Sequence, residues 1–192
     1  VDVMDSKADV GYATQVAATR STNSGHNVNW CFAGIGQTNT WIGASNTSWT
    51  LAGNWDLGRF PISFDTLVVI SNGCAYYPLL DGARELPRFE MRSGSSFALN
   101  GRPLTVTNDA AIGGTLTALG AETATFHGNV DFTGGAFVPA QSTVVIGGGA
   151  PQSVTSAGAG FCGLTVTNVS APVTFADAVT AARYRSESAS VN

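Results

Sequence analysis

Lysine is almost missing from this chain: Lys7 stands alone among 192 residues, and charged residues of all kinds make up 11%, against ~25% in an ordinary soluble domain. That scarcity removes whole classes of function. Binding nucleic acid needs a basic surface that neutralises phosphates. Here the one local group of arginines, Arg84, Arg88, Arg92 and Arg102, is interleaved with Asp81, Glu85 and Glu90, and the net charge is -4. No nucleic-acid partner is expected. Long apolar runs are missing too, so nothing in the sequence reads as a membrane span of ~20 residues. Helix-length segments are equally scarce, because Gly, Pro, Thr and β-branched residues recur too often for a helix to propagate.

Cysteine is sparse and odd in number. Cys31, Cys74 and Cys162 have no metal-ligand spacing. At least one reads as a small buried hydrophobe, while a Cys31–Cys74 disulfide stays open for an oxidising compartment. A catalytic thiol would need a histidine, and His26 and His127 both lack a recognisable context. The chain opens on Val1 without a signal-peptide pattern and stops at Asn192 without a terminating motif. It therefore reads as an excerpt from a longer secreted polypeptide.

Apolar residues, at 44%, are enough for a sizeable core. Their order carries the information. Leu104-Thr-Val106, Ala124-Thr-Phe126, Val144-Val-Ile146 and Leu164-Thr-Val166 recur at one constant spacing. A fixed period of about 20 residues is the sign of a coil that stacks on itself. The expected fold is all-β, a parallel β-helix (solenoid) with one such period per coil. Each coil would hold two or three short strands, hydrogen-bonded ~4.8 Å above and below to their neighbours. The spacing predicts a main inward stack of Val106, Phe126, Ile146 and Val166. Looser stacks would contain Ile112, Phe132 and Val154, and Phe97, Leu116 and Phe137. A β-sandwich is the alternative, although it supplies no reason for a constant period.

Three regions separate along the chain. Residues 1–33 alternate weakly, residues 34–40 (GIGQTNT) read as a linker, and residues 41–192 form the main module. Within that module, 41–78 is Trp-rich and 86–192 is a succession of period-2 segments.

The order Trp41-Ile-Gly43, Trp49, Asn54-Trp55, Gly58, Pro61, Asp65 and Val68-Val-Ile70 resembles the opening of a right-handed parallel β-helix module in bacterial cell-surface, autotransporter-like secreted proteins. Gln152-Ser-Val followed by Phe161-Cys-Gly-Leu-Thr-Val-Thr-Asn168 resembles a recurring rung of the same modules. The resemblance implies an N-terminal cap over residues 41–78, with residues 1–33 as terminal coils of a preceding module. It also implies an extracellular or cell-surface setting, in a stalk, adhesin or passenger domain.

Two groups invite a chemical reading. Trp41, Trp49, Trp55, Phe60, Tyr76 and Tyr77 could stack on sugar faces if exposed, or cover the open end of a solenoid if buried. His127 and Asp131, four residues apart, would share a face on a continuous strand, and Asp109 would lie roughly one coil away. Glycan hydrolysis needs two carboxylates bracketing a bond, and an Asp-lined face can hold Ca²⁺. A solvated turn is the simpler expectation. Rows of Thr105, Thr125 and Thr165, and of Asn108 and Asn168, would form polar ladders. The leading expectation is thus a non-catalytic structural or adhesive module without a cofactor, whose partners are other modules of its own polypeptide. Glycan binding or cleavage and assembly of like subunits into a filament are the alternatives.

Overall fold

Every short apolar-polar-apolar segment becomes a strand whose alternate side chains point inward. A computed structural model describes residues 2–7, 16–18, 21–28, 30–32 and 36–187. Thr123–Phe126 sets the pattern: Ala124 and Phe126 are buried, while Thr123 and Thr125 lie at the surface. The chain turns after each such strand, and three strands build each coil between Arg84 and Val138.

The first sheet has six strands, Arg84–Leu86, Leu104–Val106, Thr123–Phe126, Thr143–Ile146, Gly160–Val166 and Thr180–Ser186. The second has seven, Thr38–Trp41, Leu67–Ile70, Phe89–Met91, Ala110–Ile112, Val130–Asp131, Gln152–Thr155 and Val173–Phe175. Ser96–Ala98, Thr115–Thr117 and Ala136–Val138 make the third. All their pairings are parallel, giving a β-solenoid of about eight turns. The one helical element among the described residues is the 3₁₀ turn Ala52–Asn54.

The period read from the sequence is the register of the first sheet. Leu86 pairs with Val106, Val106 with Phe126, Phe126 with Ile146, Ile146 with Val166 and Val166 with Ser186, each partner one full period further along the chain. From Leu86 to Val166 this column is buried, and each such side chain contributes ~1.5–3 kcal/mol by leaving water. In the third sheet Phe97, Leu116 and Phe137 stack as the spacing predicts. The second sheet departs from expectation. Val154 pairs with Val130, not Phe132, because the long turn at Gly147–Pro151 stretches that step beyond the common period. Phe132 instead fills a corner against Phe137 and Phe161, with ring centroids 6.0 and 5.8 Å away.

Two boundaries differ from the sequence reading or extend it. Residues 38–40, read as linker, belong to strand Thr38–Trp41, which pairs with Leu67–Ile70. In the N-terminal region Asp2–Val3 pairs in parallel with Thr22–Asn23, at the same period as the first sheet.

Candidate functional site

The aromatic cluster sits at the outermost strand of the second sheet. Trp41, Trp49 and Trp55 are 0%, 0% and 1% exposed, so their rings offer no platform for a sugar to stack on. They contact one another instead, with centroids 6.4 Å (Trp41–Trp49), 5.1 Å (Trp41–Trp55) and 4.7 Å (Trp49–Trp55) apart, and Trp49 lies 5.4 Å from Phe97 of the core. The Trp41 indole N–H donates to the Tyr76 carbonyl and that of Trp55 to the Trp49 carbonyl, both at 2.8 Å. Tyr76 is exposed, and Tyr77 packs partly against the core while donating to the Gly94 carbonyl.

Several residues that carried the resemblance have a physical job here. Gly43 has φ +53, and a Cβ there would lie 2.0 Å from the Tyr76 carbonyl oxygen, so only glycine fits. The Asn54 amide receives the N–H groups of Ser45 and Asn46 and donates to Asn46 Oδ1 and the Ser48 carbonyl. Asp65 takes both guanidinium arms of Arg59 and the Ile62 N–H, with Arg59 9% and Asp65 0% exposed by side chain. Asp56 and Asn54 cover the outer edge of Thr38–Trp41: Thr40 N–H donates to Asp56 Oδ1 and Ile42 N–H to the Asn54 carbonyl, both at 2.8 Å. That edge therefore has no open backbone groups around Thr40 for another strand to pair with.

His127, Asp109 and Asp131 gather at the corner between the first and second sheets, but not on one strand face. The chain bends after Phe126, and a Cβ on Gly128 would lie 2.3 Å from the Asn108 carbonyl carbon one coil below. His127 thus belongs to the corner and Asp131 to the next strand. Asp131 pairs with Ala111, while Asp109 lies beneath Asn129. The two carboxylates are not stacked partners. Asp109 accepts the Asn129 N–H at 3.0 Å, Asn129 Oδ1 accepts the Ser153 N–H at 2.8 Å, and Asp131 accepts the Thr133 N–H at 2.8 Å. Among the described residues, no three His, Cys, Asp or Glu side chains converge as a metal site would need.

The corner is concave because of the long turn. Gly148, Gly149, Ala150 and Pro151 overhang the shorter corners 107–109 and 127–129, and the groove below holds about 650 Å³ with Arg88, Asp109, His127 and Asn129 on its walls. A second hollow, of about 200 Å³, shares Arg88, Asp109 and Asn129 and continues to Glu90, Ala111 and Asp131. The overhang is held from behind by the other resembling segment. Asn168 Nδ2 donates to the Ala150 carbonyl at 2.7 Å and to Gln152 Oε1 at 3.0 Å, and Gln152 Nε2 donates to the carbonyls of Phe126 and Gly128.

The remaining candidates separate. Asn168 is fully buried and Asn108 exposed, so they do not form a ladder. Thr105, Thr125 and Thr165 are in register on the first sheet with Val145 between them. Among the described residues neither Cys74 nor Cys162 has a disulfide partner; Cys74 Sγ lies 3.3 Å from Ser71 Oγ, and Cys162 lies beside Arg183. The side chain of Cys31 lies outside the described residues, and with it the pairing considered for it. Sequence reasoning did not single out Glu122. It is 5% exposed and accepts the N–H groups of Gly101, Leu119 and Gly120. Burial raises its pKa, but those backbone donors outweigh it and the net direction is down. Its place after the Leu119-Gly120 turn was the only available signal. Comparison with protein-family models, curated proteins and solved structures finds no match to this chain.

Proposed function

We propose that this chain is a non-catalytic structural or adhesive module of an extracellular or cell-surface protein, of the autotransporter-like kind that its Trp-rich opening resembles. It acts as a rigid spacer. The observation that carries the reading is the first sheet's unbroken column, six strands paired through five steps of equal length. Backbone hydrogen bonds then run along the axis of the rod, so bending or stretching it must break them in rows. The buried aromatic cap supports the same reading, since it closes one end against strand addition. At the other end, Thr180–Ser186 is the outermost strand of the first sheet, beside an apolar hollow lined by Leu164, Phe175, Val179, Ala181 and Tyr184. Such an end suits joining to another β-module of the same polypeptide.

The non-catalytic part of the proposal rests on the corner. Asp109 and Asp131 hold backbone N–H groups and are offset in register, which is what turn-building carboxylates do. The setting is tested on intact cells of the source organism with antibodies raised against the folded chain. Labelling without permeabilisation supports the proposal, and labelling only after lysis overturns it.

A further inference from the structure

We infer that the corner groove between the first and second sheets binds a neutral oligosaccharide, with Arg88, Asp109, His127 and Asn129 as the contacting side chains. The groove is a product of the fold. Two successive coils turn this corner with short segments, and the third turns it with the long Gly147–Pro151 loop, which leans over the other two. Its volume of about 650 Å³ falls among ligand pockets, ~300–1,000 Å³. The loop that makes the overhang is fixed by Asn168 and Gln152, so the wall is formed before a ligand arrives.

The lining chemistry selects the ligand class. Among the described residues, the Arg88 guanidinium, the His127 ring and the Asn129 amide nitrogen make no hydrogen bond to protein, and Asp109 uses Oδ1 on Asn129 and leaves Oδ2 open. The guanidinium, amide and carboxylate are planar groups whose donors and acceptors suit the closely spaced hydroxyls of a sugar ring. A full charge of each sign, Arg88 and Asp109, lines the groove. Asp131 and Glu90 continue the surface in the neighbouring hollow, which disfavours an anionic chain. Arg88 disfavours a cation. No Trp, Tyr or Phe lines the groove, so affinity rests chiefly on hydrogen bonds and is expected to be weak. The hollow at Glu90, Ala111 and Asp131 extends the trough, which suits a chain of sugars more than one unit.

The test titrates neutral tetrasaccharides (β-1,4-linked glucose, mannose, xylose and N-acetylglucosamine) and tetragalacturonate into the isotopically labelled chain, following backbone amide shifts. Saturable shifts confined to Arg88, Asn108, Asp109, 127–129 and 148–150 with a neutral sugar support the site. Arg88→Gln and Asp109→Asn should each weaken that binding about tenfold, roughly the worth of one hydrogen bond to a charged group. Both variants should leave the remaining amide spectrum unchanged. Asp109→Asn keeps an oxygen for the Asn129 N–H, so it separates loss of contact from loss of fold. No saturable shift with any neutral sugar, preference for tetragalacturonate, shifts elsewhere on the rod, or indifference to both substitutions overturns the inference.

Discussion

Replacing Asp65 by alanine should unfasten the cap while leaving the rod in place. Asp65 is buried and accepts two guanidinium hydrogen bonds from Arg59 and one backbone N–H from Ile62. Truncation takes the carboxylate away from a guanidinium whose side chain is 9% exposed, leaving the neutral Phe60 carbonyl and Gln37 Oε1 among its acceptors. Removing one partner of a buried ion pair costs ~3–5 kcal/mol, because the remaining charge has lost its compensation. At ~2–4 °C per kcal/mol for a chain of this size, a fully cooperative molecule would lose about 6–20 °C in Tm. A solenoid, however, couples each coil mainly to its neighbours. The loss should therefore concentrate in amide exchange: protection at Thr40, Ile42 and Asn54 falls, while protection at His127 and Gly147 persists. The control is Glu187→Ala, which breaks the exposed pair with Arg185 and should cost under ~1 kcal/mol. If Asp65→Ala leaves both Tm and cap exchange unchanged, the ion pair does not hold the cap and the reasoning is refuted.

Other expectations follow from particular hydrogen bonds. Trp49→Phe should cost about 1 kcal/mol less than Trp55→Phe in urea denaturation, because the buried Trp49 N–H has no partner whereas that of Trp55 bonds to a carbonyl; equal costs would contradict the assignment. Glu122 has its pKa lowered in the fold, so its contribution is present above the unfolded carboxyl pKa of ~4.3 and fades as pH falls through the lower folded value. Urea midpoints of the parent should accordingly drop more steeply below about pH 4.3 than those of Glu122→Gln, and parallel curves would refute this. Asn168→Ala removes the support of the groove's overhang and should destabilise by about 1–3 kcal/mol, with faster exchange at Gly147 and Gln152; unchanged exchange would show that the loop stands without it.

What the sequence disclosed, and what it hid, depended on turn length. On the first sheet from Leu104 to Val166 each coil returns after the same total length, so inward residues repeat at a fixed spacing and the stack is legible. Where Gly147–Pro151 lengthens a corner, the spacing breaks, and Val154 falls on Val130 in place of Phe132. The same loop creates the groove, so the feature that spoiled the periodicity is the one that shaped the candidate site. His127 and Asp131 looked like one face because a strand was assumed to run through Gly128. That glycine is where the chain presses against the Asn108–Asp109 backbone and turns. In the cap, the tryptophans and Asp65 stood out by their order. Arg59 did not, since nothing local in the sequence links it to a carboxylate six residues later that the fold buries.

The account rests on coils that each advance the chain by one strand spacing along the rod. Spin labels at Thr105 paired in turn with labels at Thr125, Val145 and Thr165, in a background with the cysteines replaced, measure that advance directly. These positions occupy one outward column of the first sheet. The expected separations grow in equal steps of ~4.8 Å, reaching about 14 Å for the Thr105–Thr165 pair. Separations that fail to grow, or that alternate between near and far, would contradict the solenoid.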